Sequence, residues 1–116
     1  MKHFLAIYLG SASDMDAWNK LDAEQRKQKE TAGMQAWQAW AQKNAKAIVD
    51  QGGPLGKTKR ISKQGIADVR NELGAYTVVQ AESHEAAAKL FENHPHFTIF
   101  PGNAIEVMER LPMPGM

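Results

Sequence analysis

The 116-residue sequence predicts an α+β fold: one antiparallel sheet with two main helices on one of its faces. Three observations predict it. The chain opens on His3-Phe-Leu-Ala-Ile-Tyr-Leu9, a short run rich in aromatic and apolar side chains. A long segment of helical periodicity follows and is stopped by Gly52-Gly53-Pro54. The second half then holds a strand-like run, a capped helix and a last alternating run.

The first strand is read over residues 3–9, ending at Gly10. His3, Leu5, Ile7 and Leu9 fall on one face and Phe4, Ala6 and Tyr8 on the other. Both faces are largely apolar, as befits a strand covered on both sides. Ser13 and Asp16 have capping-box spacing and predict a short helix from Asp14 to Leu21. Asp22-Ala-Glu-Gln25 repeats the signal and opens a longer helix, predicted to run to Gln51. Met34, Trp37, Trp40, Ala41, Ala45 and Ile48 make its apolar stripe. Gly33 interrupts that helix and suggests a kink or a close approach there.

Residues 57–62 (KTKRIS) are read as a second strand near a sheet edge, where lysine discourages unwanted pairing. Lys63-Gln64-Gly65 suits a hairpin turn. The stretch from Ile66 to Glu72 fits a strand or a loop equally well. Gly74 to Ala81 is the clearest central strand. Ser83 caps a helix from His84 to about Asn93 with Ala87, Leu90 and Phe91 facing inward. Asn103 to Glu109 alternates and reads as the last strand, and Leu111-Pro-Met-Pro-Gly-Met116 as an extended tail. The order is β-α-β-β-α-β, the ferredoxin-like pattern, in a single domain over residues 1–116. Two helices cover one face of such a sheet. The first strand is apolar on both, so the bare face calls for a second copy of the chain, giving a homodimeric barrel.

Composition narrows the function classes. Lys plus Arg number 14 against 13 acidic residues, a formal charge of +1, without the basic surplus of a general nucleic-acid binder. Tyr76-Thr-Val-Val-Gln80 is not the aromatic motif of an RNA-binding sheet. There is no cysteine, so disulfides and thiolate metal sites are excluded. No apolar run approaches the roughly 20 residues that span a bilayer. Residues 1–13 loosely mimic a signal peptide, but the apolar run from Phe4 to Leu9 is shorter than its usual core, and a strand explains it better. A cytoplasmic location is expected.

The distributed features of His3-Phe-Leu-Ala-Ile-Tyr8, Gly74-Ala-Tyr76, Ala81-Glu82-Ser83, Glu85-Ala-Ala-Ala-Lys-Leu90, Asn93-His-Pro-His96 and Ala104-Ile-Glu-Val107 resemble the YCII-related family of small dimeric α+β-barrel proteins. The likeness spans nearly the whole chain. It implies the dimeric barrel fold and a small-molecule enzyme; the group includes a dehydrochlorinase acting on a hydroxylated aromatic. Its proposed sites pair a histidine on the first long helix with an aspartate just before a proline after the second helix. Here His94 stands at the aspartate position, before Pro95, and the helix position falls near Ala36, on a helix without histidine. The Asp-Gly-Pro-Phe signature of one large branch is replaced by Ala67-Asp68-Val69-Arg70.

The residues that carry chemistry are therefore sought elsewhere. His94-Pro95-His96 is the sharpest local feature. Imidazole titrates near neutrality, so both are candidates for general acid/base catalysis, His94 first. If proline holds the segment extended, both point to one side. Alternatively, Pro95 ends the helix and the histidines cap carbonyls; two metal ligands would lack a third, and no metal or cofactor is expected. Tyr8, Trp37 and Trp40 are candidate walls for a planar ligand, or core packed on the sheet. Lys57, Lys59, Arg60 and Lys63 fit a solvated edge better than an anion site. The expected function is lyase- or isomerase-type proton transfer on a small molecule. The alternative is a non-catalytic dimeric module that binds a metabolite or a protein.

Overall fold

The computed structural model describes residues 1–115. Strands β1 (Lys2–Leu9), β2 (Ile48–Pro54), β5 (Leu73–Ala81) and β6 (Ala104–Glu109) form one sheet in the order β2-β5-β1-β6. All three pairings are antiparallel. Helices α1 (Ala12–Asn19), α2 (Ala23–Lys43), α3 (His84–Lys89) and α4 (Pro95–Thr98) connect them, and β3 (Thr58–Ser62) pairs with β4 (Gly65–Val69) in a separate hairpin. The α+β architecture predicted from the sequence is the one observed.

The two strands with the strongest apolar character take the two central places. On β1, Phe4, Ala6 and Tyr8, which the alternation places on one face, are buried, and across the ladder Thr77, Val79 and Ala81 of β5 are buried beside them. Trp40 of α2, Ala87 of α3 and Phe91 complete the core on this face. The opposite face carries Leu5 and Ile7 between Val78 and Tyr76 on one side and Met108 and Glu106 on the other. No helix covers it. The molecule is accordingly thin, 53 × 44 × 18 Å.

Four local expectations need correction. The first helix is capped by Ser11 with Asp14, the same pattern two residues before Ser13 and Asp16, because the chain turns directly after Gly10. The second helix stops at Lys43 rather than Gln51; the Asn44 side chain donates to the Trp40 carbonyl at 2.9 Å and closes it. The residues beyond form β2, an irregular edge strand with two register shifts. Gly52, at φ +68°, permits this, since a Cβ there would collide with the Tyr76 carbonyl. Residues 57–62 therefore do not join the main sheet. Finally, the apolar stripe of α2 is shorter than predicted. Met34 is exposed, and the buried positions are Gly33 and Trp40.

Candidate functional site

All five candidate residues meet on the covered face of the sheet, at the end where β1 finishes. Tyr8 comes from β1, Trp37 and Trp40 lie one turn apart on α2, and His94 and His96 flank the start of α4. Gly33 supplies the close approach that its place in the helix suggested: a Cβ would meet the Phe100 ring.

His94-Pro95-His96 is not extended. Asn93, at φ 57°, ends the preceding turn in the left-handed region that asparagine tolerates, and His94 becomes the N-cap of α4 with Pro95 at its first position. Proline suits that position because the amide it lacks would have had no partner in the helix. The cap is the imidazole itself: Nδ1 of His94 accepts from the His96 backbone N–H at 3.0 Å.

The histidines still converge. Each ring lies 5.2 Å from the Tyr8 ring. Trp37 stands edge-on to His94 at 4.4 Å, and Trp40 lies at 4.6 Å from it. His94 is fully buried, and among the described residues its Nε2 has no hydrogen-bond partner. His96 is half-buried, and its Nε2 donates to the Leu9 carbonyl at 2.7 Å. Gly102 makes room for this ring, since a Cβ there would overlap it.

Burial sets the protonation of all three titratable groups. It drives the His94 pKa down to about 3, with His96 beside it adding a smaller push in the same direction. It lowers the His96 pKa as well, opposed by the Leu9 and Ala104 carbonyls, which favour the charged ring. It pushes the Tyr8 phenol up to about 12, against the hydrogen bond with Thr77. At neutral pH the cluster therefore holds two uncharged imidazoles and an uncharged phenol. With Nδ1 of His94 occupied as an acceptor, its proton resides on Nε2. That nitrogen is a neutral donor aimed into an aromatic cage, suited to polarise an oxygen rather than to remove a proton.

Two clefts flank the cluster, of about 350 and 330 Å3. The first is lined by Trp40, Lys43, Asn44 and Lys89 among others, the second by His84, Phe91, Phe97 and Ile105 among others. Neither reaches Tyr8, Trp37, His94 or His96. Over the cluster lie Phe100, 6.0 Å from Trp37, and Trp18 of α1, 5.9 Å from Phe100. Helix α1 buries none of its residues.

Sequence reasoning missed Thr77, whose hydroxyl lies 2.8 Å from that of Tyr8, and Phe100, the cover. Neither carries a local signal: a threonine in a strand and a phenylalanine in a loop acquire these roles only through the fold. Gly102 had one available signal, a glycine six residues beyond a candidate histidine. Among the described residues, no three His, Asp or Glu side chains gather as metal ligands would.

No family model matches the chain, and no curated protein matches it. Among solved structures, it is similar to 5-chloro-2-hydroxyhydroquinone dehydrochlorinase from Burkholderia phenoliruptrix AC1100, in complex with 2,5-dihydroxybenzoquinone. The two are 20% identical, with a TM-score of 0.53, over 95% of this chain and 93% of the other. At that identity the likeness is one of fold: the chain has the α+β architecture of that enzyme, with each running nearly the full length of the other.

Proposed function

We propose that the chain is a YCII-related, cytoplasmic, homodimeric enzyme that acts on a small planar molecule by lyase- or isomerase-type proton transfer. His94 and His96 are its working groups, and Tyr8, Trp37 and Trp40 are its aromatic walls. The observation that carries this reading is the orphaned Nε2 of His94. Leaving a buried polar atom unpaired costs about 1–3 kcal/mol, and folded proteins keep few such atoms. A substrate oxygen would complete it.

The roles follow from the protonation states. His94, neutral with its proton on Nε2, donates to a carbonyl or phenolic oxygen and stabilises charge developing there. His96 is the better of the two at holding a proton, because the Leu9 and Ala104 carbonyls favour its charged form. Displacing Phe100 and α1 is the least costly way in, since α1 has no buried side chain to expose. The fold likeness to a dehydrochlorinase supports a flat, hydroxylated substrate class.

A thermal-shift titration with hydroxylated aromatics tests this. His94→Asn keeps a capping oxygen but removes Nε2, and His94→Phe keeps the ring volume without either nitrogen. Both should stay folded by circular dichroism and lose the ligand-dependent rise of the wild type. A rise that persists in both removes His94 from the site.

One observation favours a second reading, a non-catalytic binding module: neither cleft touches the histidines. Saturable binding without turnover, unaffected by either His94 variant, would select it. The homodimer is supported by the uncovered face of Leu5, Ile7, Val78 and Met108, the last 42% exposed. Sedimentation equilibrium at micromolar concentration tests it directly.

A further inference from the structure

The β3–β4 hairpin is left without cover by the described residues of its own chain. It forms a two-stranded sheet of its own, apart from the main one. Ile61 and Ile66 sit directly opposite each other, 74% and 71% exposed. Two such side chains paired on one face are the core of a contact whose other half is missing. An isolated hairpin is marginally stable in water unless something packs on it. The chain as a whole is expanded: its radius of gyration is 16.1 Å, against about 13 Å for a compact domain of this length.

A second surface lacks its complement. On the open sheet face Glu106 lies opposite Ile7, two residues from Met108 along β6. Among the described residues it makes no ion pair; Lys2 goes to Glu109, and Arg110 is engaged with His3. A carboxylate in an apolar face is costly to bury without a cation. The hairpin segment is rich in cations: Lys57, Lys59, Arg60, Lys63 and Arg70 stand against the single Asp68. Among the described residues, only Lys59 is neutralised within it, by Asp68 at 2.7 Å.

We infer that the β3–β4 hairpin is an arm that grips a second copy of this chain, its Ile61–Ile66 pair packing on the partner's open sheet face and its cations meeting the partner's Glu106. The inference rests on the homodimer proposed above and adds the segment that holds it. Reach permits it: five-residue strands extend about 17 Å, and packed sheets lie about 10 Å apart. The arm leaves the sheet between Pro54 and Leu73, at the end where Tyr8 and the Leu9 carbonyl lie. It thus becomes the edge segment that the lysines suggested, placed across the dimer instead of along the sheet.

The chain has no cysteine, so introduced thiols report cleanly. The double variant Ile61→Cys/Met108→Cys should form a disulfide-linked dimer under mild oxidation, and neither single variant should. Cross-linking of Ile61→Cys alone would mean that arms meet each other, and would overturn the placement. In sedimentation equilibrium, replacing residues 58–69 by a short Gly-Ser linker, or introducing Ile61→Lys with Ile66→Lys, should weaken the dimer at least tenfold. Glu106→Lys should weaken it comparably at low salt. A wild-type dimer whose affinity is untouched by the arm variants overturns the arm and leaves the homodimer standing. A wild-type monomer overturns both.

Discussion

His94 Nδ1 accepts a hydrogen bond from the backbone N–H of His96, and that single contact decides which nitrogen of His94 carries the proton. The same ring is at once a helix cap, a core side chain and the holder of an unpaired Nε2. Its variants therefore separate volume from polarity. His94→Ala removes both and should cost about 3 kcal/mol or more, the range of aromatic truncations in a core. His94→Phe refills the volume and abolishes the orphaned donor. Its gain offsets the loss of the cap, itself about 1 kcal/mol. Urea unfolding should place His94→Phe within about 1.5 kcal/mol of the wild type and well above His94→Ala. Equal destabilisation by the two would show that the nitrogens, not the packing, hold this corner.

Tyr8 and Thr77 offer a second asymmetry. The Thr77 hydroxyl donates to the Gln51 carbonyl at 3.1 Å, so its one proton is used. Tyr8 must then be the donor in the 2.8 Å contact between the two. Tyr8→Phe removes that donor and leaves Thr77 still bonded, at a cost of about 0.5–1.5 kcal/mol. Thr77→Val is the worse change, because it leaves the buried Tyr8 hydroxyl without its acceptor and also removes the bond to the Gln51 carbonyl. It should cost at least ~1 kcal/mol more than Tyr8→Phe. The reverse order in denaturant unfolding would contradict this donor assignment.

The fold was legible where one residue's neighbours in sequence are also its neighbours in physics. The alternation along β1 sorts Phe4, Ala6 and Tyr8 onto one face and Leu5 and Ile7 onto the other without reference to anything distant; which face the helices cover is set by the fold. The end of α2 was not legible in the same way. Residues 44–51 continue a helical pattern well enough, and what makes Ile48 and Val49 a strand is the open edge of β5, far along the chain. The five candidate residues were picked out by chemical type, and the structure brings them together. The burial of His94 was not foreseeable, because the rings around it come from β1, α2 and the turn at Phe91, far apart in the chain. The shape of His94-Pro95-His96 was misread because proline permits both an extended segment and a first helical turn. Asn93 in the left-handed region, closing the turn before it, selects the second.

Gly102 should tolerate no side chain. A Cβ would overlap the His96 imidazole, which is pinned by the Leu9 carbonyl on one strand and cannot retreat without breaking that bond. Gly102→Ala should destabilise by about 1–3 kcal/mol, as overpacking does. It should also shift the His96 ring resonances in NMR spectra. A variant as stable as the wild type with unmoved His96 signals would show that the α4–β6 connection yields instead.

Stability should fall as the solution is acidified below about pH 6.5. Among the described residues, the titratable rings against His94 are Tyr8, held neutral with a pKa of about 12, and His96. In the unfolded chain His94 titrates at its ordinary 6.5, while in the folded protein it does so at about 3. Between those values the unfolded state binds more protons than the folded one. The unfolding free energy therefore rises with pH across this window and drops as pH falls through it. Each fully uncoupled histidine contributes a slope of up to ~1.4 kcal/mol per pH unit. His96, also lowered, acts in the same direction. The clean interval is pH 6.5 to 5, above most carboxylate titrations. In that interval urea midpoints should decline in the wild type and decline less steeply in His94→Phe, which has no proton to bind at this position. Identical slopes in the two proteins would mean that the His94 ring reaches water in the folded state, and with it would go the sealed cage around Nε2.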